Sequence, residues 1–184
     1  MFFKLLLSGK SYWPYISILL LAVVVVATQY FSQQFLILAA LMLLLPLIDN
    51  NHDAAKFVFV KTNIVLLFVL LMIIFVVIFL KENLLIFFMT TLVFTALPEE
   101  WFFRIYLMQR IGRGLEANVI ASVLFSALHA ITFGWLYSFL VFLPSLVFGW
   151  VYQRQQNFVI LVLLHAVSNL VYVAYLSQYL DRFS

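Results

Sequence analysis

The chain has 184 residues, 67% of them hydrophobic and 9% charged, with a mean hydropathy of +1.17. That composition excludes a soluble globular domain and indicates a polytopic membrane protein of single-domain size. Cysteine is absent, which excludes disulfides, thiolate nucleophiles and Cys-ligated metal or iron–sulfur sites, and the formal charge of +3 is spread near segment ends, fitting membrane orientation rather than nucleic-acid binding.

In chain order, Met1–Lys10 carries Lys4 and Lys10 before an apolar run and has the outline of a signal peptide. The run Tyr12–Phe31 is too long for a signal h-region and is followed by no small-residue cleavage site, so it reads as a retained first span. Ser32-Gln33-Gln34 makes a short turn. Phe35–Ile48 is the second apolar stretch, short against the ~20 residues of a full crossing. Asp49-Asn50-Asn51-His52-Asp53 is a polar loop, with His52 solvated between acids. The third span is Phe57–Leu80, the fourth Leu84–Met108, the fifth Asn118–Phe133, the sixth Trp135–Tyr152 and the seventh Phe158–Leu180. The expected fold is an all-α transmembrane bundle of about seven spans with short loops. It forms a single membrane domain, 1–184, enclosing a polar cavity. The 21 Phe and 9 Tyr are read as mostly lipid-facing bulk and interface belt.

The Lys/Arg distribution orients the bundle. With the N-terminus cytoplasmic, the inner segments hold Lys4, Lys10, Lys56, Lys61, Arg110, Arg113 and Arg154, and the outer ones only Lys81 and Arg182.

Three polar patches interrupt the spans. The first is Glu99-Glu100 with Arg104, after Pro98; the second is His129, with Phe125 one turn before it; the third is His165 with Asn169. Ionisable groups inside a membrane are costly and mark a bundle interior or a wet cavity. Glu100 and Arg104, at i,i+4, share a face and suit a buried ion pair, which leaves Glu99 without a local partner, as a general base requires. Phe125, at i−4, can pack on the imidazole of His129. His165 and Asn169 project from one face, and two aligned donors suit an oxyanion hole. Counted from the cytoplasmic ends of their spans at ~1.5 Å per residue, Glu99, His129 and His165 lie ~12–16 Å deep, one layer on three helices. A cavity opening to the cytoplasm is expected from those depths. The same residues also fit helix–helix ion pairs and hydrogen bonds without chemistry.

Glu99-Glu100-x-x-x-Arg104, Phe125-x-x-x-His129 and His165-x-x-x-Asn169, in this order on successive spans, resemble the signature of the CPBP family of intramembrane proteases, also called the CAAX prenyl protease 2 or Abi family. The resemblance covers 84–180 as a protease-like core, with 1–83 as accessory spans. It implies hydrolysis of a peptide bond in a membrane-associated protein or peptide. By the resemblance, Glu99 and His129 activate a water, His165 and Asn169 stabilise the oxyanion, and Glu100, Arg104 and Phe125 support them. No cofactor is required; a Glu-His-His set could also hold zinc. No His-Glu-x-x-His or Gly-x-Ser-x-Gly pattern points to another protease class. The expected setting is the cell membrane, multi-pass, with the lipid bilayer as partner and no nucleic acid. Other classes stay open: a haem or quinone binder using His129 and His165, a proton-coupled transporter using Glu99, and a non-catalytic immunity protein.

Overall fold

The structure, a computed structural model, describes residues 12–28, 34–49, 67, 71–75, 79 and 84–177. The third expected span, the Ser32-Gln33 turn, His52 and the N- and C-terminal lysines and arginine therefore lie outside the described residues, wholly or in most part.

The described chain is helical throughout, without strands. The helices are α1 (Trp13–Thr28), α2 (Gln34–Ile48), α3 (Leu84–Ile111), α4 (Leu115–Phe133), α5 (Trp135–Gln155) and α6 (Phe158–Leu176). Among the described residues, α3 to α6 are each long and apolar enough to cross a membrane. The protein is thus a helical, multi-pass membrane protein. α1 and α2, at 16 and 15 residues, are shorter, ~24 and ~22 Å against a ~30 Å hydrocarbon core.

Local chemistry sets the breaks. α4 and α5 are joined through the single residue Gly134, at φ 87°, a left-handed conformation that only glycine adopts without strain. α6 begins at Asn157, whose Oδ1 accepts from the Ile160 N–H at 3.1 Å and caps the helix. α3 is not a regular α-helix. It is π-helical over Leu92–Ala96 and again over Trp101–Met108, with Pro98 between. Proline has no N–H to give to the carbonyl four residues back, and a wider turn absorbs the mismatch. The Leu97 N–H, for instance, reaches back to the Leu92 carbonyl.

α1 and α2 form an antiparallel hairpin: Trp13 Nε1 donates to the Leu45 carbonyl at 2.8 Å, and Gln34 Nε2 to the Val25 carbonyl at 3.0 Å. Asp49, read from sequence as the start of a polar loop, is buried. Its Oδ2 accepts from the Tyr106 hydroxyl at 3.2 Å and pairs with Arg110 Nε at 3.1 Å. The C-terminal ends of α2 and α3 therefore share one level, and the two helices run the same way. Gln109 bonds the Tyr152 hydroxyl, and Gln153 donates to the Gly114 carbonyl at 2.7 Å, bringing the end of α5 to that level too.

The main apolar core packs α1 and α2 against the aromatic stretch of α3 (Phe102, Phe103, Tyr106) and against α4. A second cluster packs α6 against the first half of α3. α4 and α5 approach so closely that a Cβ on Gly149 would collide with the Asn118 side chain. Asn118 is held there by its Nδ2, which donates to the Leu146 carbonyl at 2.9 Å.

Candidate active site

Glu99 and Glu100 leave α3 on different sides, as consecutive helical residues must. Glu100 turns into the protein and is 1% exposed. Its Oε2 accepts from Arg104 Nε at 3.3 Å, and its Oε1 lies 2.7 Å from His165 Nδ1 on α6. Arg104 is also buried and extends to α5, where Nη2 donates to the Ser145 carbonyl at 2.8 Å and to the Ser145 hydroxyl. One carboxylate thus ties α3, α5 and α6 together. The i,i+4 pair was legible in sequence; the two cross-helix partners were not.

Glu99 faces a cavity of about 700 Å³. His129 on α4 and His165 and Asn169 on α6 line the same cavity. His165 Nε2 lies 3.6 Å from Glu99 Oε2, beyond direct hydrogen-bonding distance. Glu99 Oε2 is buried and has no hydrogen-bond partner among the described residues. A buried carboxylate oxygen left unpaired is costly, so its retention calls for a reason.

Both imidazoles are oriented from behind. His129 Nδ1 lies 2.9 Å from the Phe125 carbonyl, which can only accept, so Nδ1 carries the proton and Nε2 is left as the free nitrogen. His165 Nδ1 faces a carboxylate and is likewise the donor, which turns its Nε2 towards Glu99. The ring of Phe125 packs on both, with centroids 4.3 Å from His129 and 6.1 Å from His165. It is braced in turn by Phe103. All seven sequence candidates, Glu99, Glu100, Arg104, Phe125, His129, His165 and Asn169, are thereby within one connected cluster or on its cavity wall. Among the described residues no three His, Asp or Glu side chains converge in a metal-holding arrangement.

Four neighbours escaped the sequence reading. Ser145 holds Arg104, and Phe148 stacks on His165 at 5.2 Å. Tyr137 stacks on His129 at 6.0 Å and meets Tyr172 edge-on at 5.6 Å. Aromatic residues were expected mostly as lipid-facing bulk and interface belt, and no residue of α5 is among the sequence candidates; the serine directly after Pro144 was the available signal.

The depth reading needs correction. α4 begins at Leu115 rather than Asn118, so His129 stands fourteen residues from that end, ~21 Å, and only four, ~6 Å, from Phe133. Glu99 lies ~18 Å before the end of α3 and His165 ~10 Å into α6. The groups meet because the helix ends are staggered, not because the counts agree. The cavity wall runs from Glu99 towards Gln34, Phe133, Tyr137 and Leu176. Among the described residues it contains nothing from the end that holds Asp49, Arg110, Gly114 and Tyr152, the end expected to face the cytoplasm.

No curated protein and no solved structure matches the chain. The sequence model described as type II CAAX prenyl endopeptidase Rce1-like matches residues 81–171, a stretch that holds all three polar patches. Through that segment the chain belongs to the Rce1-like family of type II CAAX prenyl endopeptidases, which are intramembrane peptide hydrolases acting on membrane-associated proteins.

Proposed function

We propose that this endopeptidase cleaves its substrate by a water activated between Glu99 and His129. The observation that carries the reading is the buried Glu99 Oε2, without a hydrogen-bond partner among the described residues, on the same cavity wall as His129, His165 and Asn169. Glu99, with the free Nε2 of His129, takes the proton of a water whose oxygen attacks the peptide carbonyl carbon. Negative charge develops on the carbonyl oxygen, and the side-chain donors of His165 and Asn169 meet it. Collapse breaks the C–N bond, and the proton held by the Glu99–His129 pair passes to the departing amine. The products are a new carboxylate terminus and a new amino terminus.

Glu100 and Arg104 act from behind. Two carboxylates balance two cations when His165 carries both ring protons, which leaves the buried cluster neutral. In that state His165 Nε2 is a donor, as the oxyanion role needs. The chemistry requires no cofactor and no metal: base, donors and water suffice. The chain acts as a single domain in the cell membrane, with its N-terminus cytoplasmic, residues 1–83 as accessory spans and no nucleic-acid partner.

A proton-transport role for Glu99 is less well supported, because the cavity wall lies to one side of Glu99 and the Glu100–Arg104 pair stands behind it. A haem held by both histidines is disfavoured because His165 Nε2, the nitrogen that would ligate iron, faces Glu99 Oε2 at 3.6 Å. The test is mass spectrometry of membrane-protein termini from cells with the wild-type protein or Glu99→Gln. New termini present only with the wild type, and an uncleaved precursor accumulating with the variant, are expected. Identical termini in both, at equal protein levels, would refute the mechanism.

A further inference from the structure

The catalytic cavity and the cationic residues lie at opposite ends of the bundle. The contacts of Trp13 with Leu45, Asp49 with Arg110, Gln109 with Tyr152 and Gln153 with Gly114 define one end. Arg110, Arg113 and Arg154 belong to it, and Lys4 and Lys10 precede α1 in the sequence. The other end comprises the start of α2, the Phe133-Gly134-Trp135 turn and the end of α6. Among the described residues it holds no lysine or arginine. A Lys/Arg bias of this kind marks the cytoplasmic end, and the cavity runs the other way.

We propose that the site is open to the non-cytoplasmic side of the membrane and cleaves an uncharged, apolar segment of a membrane-anchored polypeptide presented there. The substrate part rests on the hydrolase reading above; the orientation does not. Among the described residues the wall carries no Lys, Arg or Asp, and its one carboxylate is Glu99. A charged substrate residue would lose its hydration without gaining a partner, apart from the catalytic group itself. The rim is apolar and open: Phe133 is 63% exposed, Leu176 50% and Phe35 48%. Such a rim suits entry of a segment from the adjoining lipid rather than from water.

The natural absence of cysteine makes single-cysteine labelling clean. Trp135→Cys lies in the cavity-end turn and Leu115→Cys at the basic end, both at exposed positions; Leu136→Cys serves as a second cavity-end variant. A membrane-impermeant maleimide is expected to label Trp135→Cys and Leu136→Cys on intact cells, and Leu115→Cys only after permeabilisation. The reverse pattern overturns the orientation. For the substrate, single-span reporters carry the same apolar juxtamembrane segment on the non-cytoplasmic side, on the cytoplasmic side, or on the non-cytoplasmic side with lysines inserted. Only the first is expected to be cut, and not by Glu99→Gln. Cutting of the cytoplasmic or lysine-bearing reporter, or of none, overturns the substrate class. Cutting that persists in Glu99→Gln overturns the hydrolase mechanism and leaves the labelling result standing.

Discussion

Glu100→Gln and Glu99→Gln are chemically the same change at adjacent residues, and the structure separates their consequences. Gln at position 100 keeps the shape and one acceptor oxygen but removes the charge that faces both Arg104 and His165. Arg104 is fully buried, so its guanidinium would be left with the carbonyl and hydroxyl of Ser145 and no counter-charge. Breaking one side of a buried pair typically costs ~3–5 kcal/mol, a large share of the ~5–15 kcal/mol that holds a domain folded. Gln at position 99 loses no hydrogen bond at Oε2, which makes none among the described residues, and the cation it faces, His165 at 3.6 Å, can restore neutrality by releasing a ring proton, as the guanidinium of Arg104 cannot. We expect a smaller stability change there, ~1 kcal/mol. The assay is denaturant-induced unfolding in mixed micelles, with membrane expression level and turnover read in parallel. Glu100→Gln should unfold early and express poorly; Glu99→Gln should match the wild type in both and have no turnover. A third variant, Glu100→Gln with Arg104→Met, removes the stranded cation and should recover most of the lost stability, since an apolar replacement of a buried pair is often neutral. Equal destabilisation by the two single substitutions, or no recovery in the double variant, would refute this division of roles.

Gly149→Ala puts a Cβ onto the Asn118 side chain and should cost ~1–3 kcal/mol in the same unfolding assay, since the asparagine must give up its bond to Leu146 or the helices must part. Asp49→Ala removes the acceptor of Tyr106 and the partner of Arg110, and should destabilise by ~1–3 kcal/mol without changing turnover per folded molecule. Turnover by purified protein stripped with a chelator and assayed in metal-free buffer should match that of the untreated enzyme; loss restored by zinc would replace the Glu99–His129 water with a metal-bound one.

The membrane class, the helical fold and the residues of the cluster could be read along the chain because each rests on local rules. Apolar run length reports spanning helices, and a helical period of ~3.6 residues places Glu100 with Arg104, Phe125 with His129 and His165 with Asn169. Charged groups in apolar runs stand out by their desolvation cost alone. What crosses between helices was settled by packing. Glu100 serves His165 as well as Arg104, Ser145 holds the guanidinium, and Asp49 is buried under Tyr106 and Arg110. None of these partners has a fixed sequence spacing, because each depends on the relative stagger of two helices. The direction of the cavity has the same origin. A count of residues from assumed helix ends placed the site towards the end of the bundle that holds Arg110; the start of α4 at Leu115 and the wall extending from Glu99 to Phe133 and Leu176 place it towards the opposite end. Residue type and period are properties of one helix, whereas a cavity is a property of how several helices fail to fill the space between them.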